Sequence, residues 1–352
     1  MDLAFVNGLP VVLQYLVFIA SFALGAFALI GFCNLFIDNA TLIARKFKIP
    51  SLIIGLTIVA MGTSIPELAV SVSDSIQELN SGGIANIAVG NVVGSNISNI
   101  LLVISMGCFF APIIINKENK KELYILLFIT SLFTVFAFMF GQGAIFSNFA
   151  ITRWEALILT MLIIFYLSYI ILTSKEKIKN SKKEEEKIKK IKIFKPFVYV
   201  ILAICGIAFG GELAVYGAKG IALNIASSLN VDSNLAETLV ALTIVAVGTS
   251  LPELVTTFIA SKKGENDIAL GNVIGSNIFN IIFVLGISGM VIPLGVSSTV
   301  LIDILVMLGV TILFFILSMF GKFNRKHSYI FIGIYLTYLV YLILRTVLIW
   351  YE

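Results

Sequence analysis

Charged residues are scarce in this chain. Only 12% of its 352 residues are Asp, Glu, Lys or Arg, and 59% are hydrophobic, whereas a soluble domain has about 25% charged residues. This balance excludes an ordinary soluble globular protein. The net charge of +4 does not indicate a nucleic-acid surface either, because the basic residues fall in short loops between apolar segments.

Histidine and cysteine are also rare. The single His327 lies in a basic loop, where a solvated role is expected, and Cys33, Cys108 and Cys205 fall in separate apolar segments. This set predicts neither a disulfide framework nor a zinc or copper site. The serines have no neighbouring His or Lys base, so we expect neither an enzyme nor a cofactor.

Long apolar runs, by contrast, are abundant. A helix needs about 20 apolar residues to cross a bilayer. Ten such runs occur, at 11–37, 51–78, 84–112, 122–141, 154–173, 196–218, 236–261, 267–293, 299–320 and 328–349. Because they are continuous and do not alternate, they favour helices over the strands of a membrane barrel. The predicted fold class is all-α, a polytopic membrane protein with ten transmembrane helices.

Basic residues are distributed unevenly between the two sets of loops. If the N-terminus lies outside, all of the 24 basic residues except Arg153, Lys219 and Arg345 fall on the inner side. Basic loops stay in the cytoplasm, so we predict a multi-pass protein of the plasma membrane with both termini outside. The segment 174–195, rich in Lys and Glu, is interpreted as a solvated cytoplasmic linker, with binding to lipid headgroups as an alternative.

Two motifs occur twice. Residues 55–68, GLTIVAMGTSIPEL, match 241–254 at 11 of 14 positions, and residues 87–100, IAVGNVVGSNISNI, match 268–281 equally well. The chain therefore divides into related units, 1–173 and 196–352. Five spans in each unit is an odd number, so the second unit enters the membrane from the opposite face. Inverted repeats of this kind are typical of secondary transporters.

Each copy of the first motif carries a glutamate deep in an apolar run. An ionised carboxylate at this depth costs about 2.5 kcal/mol or more, so Glu67 and Glu253 need a partner. No basic residue lies in the centre of a predicted span. The remaining partners are a bound cation or a proton.

Proline precedes each glutamate by one residue. Because proline has no N–H to donate to the carbonyl four residues earlier, Pro66 and Pro252 leave the carbonyls of Gly62 and Gly248 without that donor. A proline alone is also compatible with a simple kink. Hydroxyl-bearing residues beside the glutamates favour an oxygen-rich turn; they are Thr63, Ser64, Thr249 and Ser250.

The second motif adds a stripe of polar side chains. Residues spaced i, i+4 and i+8 share one helical face, and this spacing recurs in both halves: Asn91, Ser95 and Asn99, then Asn272, Ser276 and Asn280. Glycines at four-residue spacing, at 90 and 94 and at 271 and 275, predict close packing against a neighbouring helix. The donor set contains only oxygen ligands, which Ca²⁺ and Na⁺ prefer.

The paired segments GTSIPE…GNVVGSNISN and GTSLPE…GNVIGSNIFN resemble the α-repeats of the sodium/calcium exchangers, in the cation/calcium antiporter superfamily. The resemblance implies exchange of Na⁺ for Ca²⁺ by alternating access, with Glu67 and Glu253 as central Ca²⁺ ligands shared with Na⁺. It further implies backbone carbonyls and hydroxyls from residues near them: Thr63, Thr249, Ser64, Ser95, Ser250 and Ser276.

Asn99 and Asn280 depart from the better-known members of the family, in which at least one of the two equivalent residues is an aspartate. The predicted site therefore lacks a third carboxylate, and potassium dependence, protonation and stoichiometry stay open. Asp74 has no acidic counterpart in the second half, and we expect it to cap a helix or face solvent. The alternatives are a Ca²⁺/H⁺ or other divalent-cation antiporter and, less favoured, a cation channel. The expected partners are Ca²⁺, Na⁺ and the lipid bilayer, without nucleic acid or an obligatory protein partner.

Overall fold

The computed structural model describes residues 9–47, 49–81, 85, 87–110, 112–139, 149–180, 194–228 and 246–351. Within these ranges the protein is all-α and multi-pass, which confirms the predicted fold class. Eight helices are long and apolar enough to cross a bilayer, and a ninth crossing is a pair bent by 45°, Ser51–Thr63 and Ile65–Asn80. The predicted count of ten includes the span 236–261, which begins outside the described residues.

The described part of the first half contains eight helices and two short strands, with π-helical turns at Gly55–Val59 and Asn99–Val103. Its helices are α1 (Val11–Phe47), α2 (Ser51–Ile54), α3 (Ala60–Thr63), α4 (Ile65–Ser81), α5 (Ile87–Ser98), α6 (Ile104–Phe110), α7 (Lys117–Met139) and α8 (Arg153–Asn180). The strands are β1 (Ile113–Ile114) and β2 (Phe149–Ile151).

The second half has the same kinds of element in its described part, with a π-helical turn at Asn280–Leu285. Its helices are α9 (Phe194–Ser228), α10 (Ala246–Thr249), α11 (Leu251–Lys262), α12 (Asn266–Phe279), α13 (Gly286–Val291), α14 (Ser298–Ser318) and α15 (Arg325–Tyr351). The strands are β3 (Leu294–Val296) and β4 (Lys322–Phe323).

Several helices run past the predicted apolar spans. α1 continues ten residues beyond the predicted end at 37, to Phe47, although this part contains polar residues. Asn39 there donates its Nδ2 to Leu35 O at 2.7 Å within the helix. α8 likewise continues to Asn180, into the predicted linker 174–195, whose residues 181–193 lie outside the described part. Hydropathy marks where apolar character ends, whereas backbone hydrogen bonds decide where a helix ends.

The two small sheets lie at opposite ends of the bundle. β1 pairs with β4 at one end, and β2 pairs with β3 at the other, where Ala85 also bridges Leu294. The β1–β4 end holds basic side chains: Lys120 Nζ donates to Met319 O and Arg325 Nε donates to Phe109 O. Arg153 lies at the β2–β3 end, where it donates to Val291 O. These contacts place Lys120 and Arg325 at one end of the bundle and Arg153 at the other.

α12 occupies the centre of the bundle, with every side chain from Ile268 to Phe279 buried. Glycine lets α12 approach the bent helix pair at its Ser51–Thr63 part. A Cβ at Gly271 would lie 2.7 Å from Leu52 O, and one at Gly275 would lie 2.7 Å from Leu56 O. The close packing predicted from the glycine spacing is therefore confirmed in the second half. It is not confirmed in the first half, because a Cβ at Gly90 or Gly94 would meet nothing within 4 Å among the described residues. The segment 229–245, which includes the repeat counterpart of the Gly55–Val59 turn, lies outside the described residues.

Candidate cation-binding site

Both copies of the glutamate motif interrupt a helix. Ser64 separates α3 from α4 with φ −82° and ψ 6°, and Ser250 separates α10 from α11 with φ −85° and ψ 2°. Pro66 and Pro252 are the second residues of the helices that follow, where a missing N–H is tolerated. The glutamates come next, in the first turn. A helix N-terminus favours negative charge at this position.

Both glutamate side chains are fully buried, at 0% exposure. Ser95 Oγ donates to Glu67 Oε1 at 3.3 Å, and Ser64 Oγ donates to Glu253 Oε1 at 3.4 Å. The Oε2 atom of each glutamate is buried without a hydrogen-bond partner. Neither carboxylate has an ion pair within the described ranges. Two buried acids in this arrangement still need positive charge.

Asn91 and Asn272 hold the helices that carry the glutamates. Asn91 Nδ2 donates to Glu67 O at 3.2 Å and to Ser71 Oγ at 3.1 Å. In the second half, Asn272 Nδ2 donates to Glu253 O at 3.3 Å and to a hydroxyl, Thr257 Oγ1, at 3.0 Å. These matching contacts join α5 to α4 and α12 to α11. Each Nδ2 thus bonds both to the backbone carbonyl of a glutamate and to a hydroxyl of the same helix.

Hydroxyl contacts join the two halves around the glutamates. Ser95 Oγ lies 3.2 Å from Thr249 Oγ1, and Thr63 Oγ1 lies 3.3 Å from Ser276 Oγ. Thr63 Oγ1 also donates to Asn272 Oδ1 at 3.2 Å. Each pair combines one residue from the glutamate motif of one half with one from the asparagine motif of the other. The candidate site is therefore shared between the halves.

Three further buried oxygens near the glutamates have no hydrogen-bond partner. One is Ser250 Oγ, in the glutamate motif, and the other two lie on the predicted stripe, Asn99 Oδ1 and Asn280 Oδ1. The two asparagines are 0% exposed, and each is the first residue of a π-helical turn, a distortion that is frequent at functional sites. Buried polar atoms normally have partners. An oxygen set of this composition fits a hard cation such as Ca²⁺ or Na⁺.

Gly62 and Gly248 lie where α9 passes the broken helices. A Cβ at Gly62 would lie 3.1 Å from Ile204 Cγ1, and one at Gly248 would overlap the Val215 side chain. Both glycines therefore let α9 approach the broken helices closely. α9 packs along α1 in the same way, because a Cβ at Gly25 would overlap the backbone of Ala214.

A cavity of about 720 Å³ reaches the site from the β2–β3 end of the bundle. Pro66, Thr249 and Pro252 line its inner part, and Asp74 and Gln77 line the part nearer the end of α4. This cavity lies between α4 and α9 and was not predicted from the sequence, because no local pattern reports the space between distant helices.

Asp74 caps a helix beside this cavity. Its Oδ2 accepts from the backbone N–H groups of Ile87 at 3.1 Å and Ala88 at 3.2 Å, at the start of α5. Carboxylates stabilise the exposed N–H groups of a helix N-terminus. The capping role expected for Asp74 is confirmed.

Sequence reasoning missed several buried polar contacts, two beside the site and one apart from it. Ser71 and Thr257, which receive the asparagine donors, both lie four residues after a glutamate, so the shared Glu-x-x-x-Ser/Thr spacing could have indicated them. The buried pair Asp303 and Arg345, with Oδ2 and Nη1 3.0 Å apart, was also missed. These two residues are 42 positions apart on α14 and α15, and no local motif links them.

The chain is similar to known membrane transporters over most of its length. The family model described as sodium/calcium exchanger protein matches residues 17–172 and 195–344. The putative antiporter CaxA of Alkalimonas amylolytica is 34% identical over 309 residues, covering 86% of this chain and 90% of that protein. The sodium/calcium exchanger MaX1 of Methanosarcina acetivorans is 31% identical over 352 residues, covering 91% and 96%.

A solved structure supports the same relationship. The sodium-calcium exchanger NCX_Mj, soaked with 10 mM Na⁺ and 10 mM Sr²⁺, aligns with a TM-score of 0.73 at 28% identity and covers 92% of this chain and 97% of that one. Family model, relatives and fold therefore agree, and they describe transporters rather than enzymes. The chain belongs to the sodium/calcium exchanger family.

Proposed function

We propose that this protein exchanges Na⁺ for Ca²⁺ across the plasma membrane by alternating access and moves Ca²⁺ out of the cell. The observation that carries the proposal is the pair of fully buried carboxylates, Glu67 and Glu253. Each has one oxygen held by a serine and a second oxygen without a partner. A bound cation satisfies both requirements at once.

The charge of the site explains how two ions can compete for it. Asn99 and Asn280 are neutral, so Glu67 and Glu253 supply the whole formal charge of −2. This charge balances one Ca²⁺ or two Na⁺. Because the same carboxylates serve both ions, binding of one excludes the other, and alternating access then couples their movement.

The remaining ligands surround the carboxylates. We propose that serine hydroxyls line the flanking Na⁺ positions, that the threonines contribute backbone carbonyls and that the asparagines contribute amide oxygens. The residues are Ser64, Ser95, Ser250, Ser276, Thr63, Thr249, Asn99 and Asn280. Support comes from the cross-half hydroxyl contacts and from the unpartnered oxygens of Ser250 and the two asparagines.

The proposed architecture is two inverted five-helix halves, 1–173 and 196–352, joined by a cytoplasmic linker, 174–195. The matching contacts of Asn91 and Asn272 favour a duplicated unit. The basic β1–β4 end is assigned to the cytoplasm by the distribution of Lys and Arg. The cavity at the β2–β3 end then provides access to the site from outside.

Flux of ⁴⁵Ca²⁺ into proteoliposomes tests the proposal. Vesicles loaded with Na⁺ and diluted into Na⁺-free buffer should take up Ca²⁺, whereas K⁺ or H⁺ gradients alone should not drive uptake. Glu67→Gln and Glu253→Gln should each abolish the flux. Glu118→Gln, at an exposed position near the start of α7, serves as the matched control and should retain it. Unchanged uptake in either site variant would refute the assignment.

A Ca²⁺/H⁺ antiporter is the second candidate. The specific observation in its favour is that protonation of the two Oε2 atoms would also satisfy them, and buried acids can carry protons. In that case a pH gradient would drive Ca²⁺ uptake without Na⁺. A steady cation conductance that needs no counter-ion would instead indicate a channel.

A further inference from the structure

A short chain of amide contacts crosses between the two halves beside the candidate site. Asn96 on α5 donates its Nδ2 to the backbone carbonyl of Asn277 on α12 at 3.2 Å. Its Oδ1 accepts from Asn280 Nδ2 at 3.0 Å. Asn96 is 1% exposed and Asn280 is 0% exposed, so water does not compete for these bonds.

The chemistry of the first contact fixes the direction of the second. A backbone carbonyl can only accept, so the Asn96 atom that faces Asn277 O must be the amide nitrogen. The oxygen of Asn96 is then on the other edge and can only accept. The Asn280 atom that faces it must therefore be Nδ2, which leaves Oδ1 on the edge turned away from Asn96.

The oxygen edge of Asn280 lies on the polar stripe of α12. Asn280 follows Ser276 by four residues, on the face that also carries Asn272, and Ser276 contacts Thr63 beside the broken helix. Asn280 Oδ1 is buried and has no hydrogen-bond donor. It is thus an acceptor held ready for a cation.

The first half lacks this arrangement. Asn99, the counterpart of Asn280, has neither Oδ1 nor Nδ2 hydrogen-bonded within the described ranges. Asn277, the counterpart of Asn96, donates its Nδ2 to Val273 O in its own helix at 2.7 Å. Of the counterparts Asn99 and Asn280, Asn280 is thus the one held in a fixed orientation by a described contact.

We infer that Asn96 is a positioning residue for cation binding: through its hydrogen bond it fixes the amide of Asn280 so that Oδ1, and not the NH₂ group, faces the transported cation. The inference rests on the proposed site. A flipped amide would present partially positive hydrogens to Ca²⁺ and remove one ligand. An aspartate needs no such control, because both of its edges are oxygens. The positioning role is therefore specific to the neutral Asn280 of this chain.

The test is ⁴⁵Ca²⁺ binding to the purified full-length protein in detergent, in Na⁺-free buffer, which requires no gradient. Asn96→Ala should raise the Kd for Ca²⁺ about tenfold, the usual loss when the partner of a metal ligand is removed. Asn277→Ala is the matched control, since its side chain bonds only within its own helix, and should change the Kd less than about twofold. If Asn96→Ala does not fold, Asn96→Ser is used in its place, because it also removes the amide.

A double-mutant cycle separates positioning from general support of the fold. In an Asn280→Asp background, and again in Asn280→Ala, Asn96→Ala should change the Kd less than about twofold, because no amide is left to orient. An equal loss in all three backgrounds would overturn the inference, as would an unchanged Kd in Asn96→Ala. Failure of the proposed function would look different: Ca²⁺ flux in the wild-type protein would not respond to Na⁺, while these binding constants would still differ.

Discussion

Ser64 Oγ donates a hydrogen bond of 3.4 Å to Glu253 Oε1, so a serine from one half of the chain holds the glutamate of the other. Ser250, its counterpart, makes no such contact, and its hydroxyl is buried without a partner. The duplicated motifs are nearly identical in sequence, yet their hydrogen bonding at the site is unequal. The two serines should therefore respond differently to substitution.

We predict that Ser64→Ala lowers the free energy of unfolding of the ion-free protein by about 1–3 kcal/mol, because Glu253 Oε1 loses its donor. Ser250→Ala should leave this value unchanged or raise it slightly, since it removes a buried hydroxyl without a partner. Both variants should bind cations more weakly. Thermal unfolding in detergent, with chelator and then with Ca²⁺, measures the two effects separately. Equal destabilisation of the ion-free protein by both substitutions would contradict the asymmetry.

Neutralising the glutamates should stabilise the protein in the absence of ions. Glu67 and Glu253 are buried without a basic partner, and a buried carboxylate is costly. Glu67→Gln and Glu253→Gln should therefore raise the unfolding temperature in chelator. In the wild type, Ca²⁺ at about 100 times its Kd should add about 2.7 kcal/mol, and this gain should vanish in both variants.

The control for this experiment is Glu118→Gln, which should keep the full stabilisation by Ca²⁺. A glutamine variant that still gains stability from Ca²⁺ would show that the altered carboxylate is not a ligand. A fall in ion-free stability would show instead that the carboxylate has a compensating partner.

Glycine packing at the centre of the bundle gives a prediction independent of ions. A Cβ at Gly271 would lie 2.7 Å from Leu52 O and 2.9 Å from Leu56 N, and backbone cannot move aside as a side chain can. Gly271→Ala should cost about 1–3 kcal/mol or more. Gly309→Ala, on α14 with nothing within 4 Å of the added Cβ, should be neutral or stabilise by up to about 1 kcal/mol. Size-exclusion profiles and thermal unfolding of both variants compare them directly, and equal behaviour would refute the packing argument.

The local parts of the fold and site could be predicted from the sequence. The apolar runs identified the membrane helices, and the buried glutamates with their neighbouring Thr, Ser and Pro marked the site, because each signal lies within one helix or turn. For Asp74 the sequence left capping or solvation open, and the structure selects capping, at the start of α5.

Contacts between distant segments could not be predicted in this way. The orientation of Asn280 depends on Asn96, which lies 184 residues earlier, and the asymmetry between Ser64 and Ser250 arises although their motifs match. Likewise, α1 continues through Asn39 because its backbone and side-chain hydrogen bonds continue, while hydropathy records only the change in polarity. Nearly identical local sequences supply the same hydrogen-bonding groups, and tertiary packing decides which of these groups contact each other.

Asp303 and Arg345 form a buried ion pair between α14 and α15. Arg345 Nη1 donates to Asp303 Oδ1 at 3.1 Å and Oδ2 at 3.0 Å, and also to Tyr341 Oη at 3.3 Å. Asp303 is 7% exposed. Removal of one partner leaves the other charge buried, which typically costs 3–5 kcal/mol, whereas replacing both by apolar residues is often neutral or stabilising.

We therefore expect Arg345→Met to lower the free energy of unfolding by about 3–5 kcal/mol, and Asp303→Leu with Arg345→Met to restore it to within about 1 kcal/mol of the wild type. The pair lies apart from the glutamates, on helices that carry no proposed ligand, so the double variant should retain Na⁺-driven Ca²⁺ uptake. Thermal unfolding and flux on the same preparations measure both outcomes. A double variant that is stable but has lost transport would show that the ion pair has a role in the transport cycle. If the double variant were as unstable as Arg345→Met, the destabilisation would come from the lost packing of Arg345 and not from the unpaired charge of Asp303.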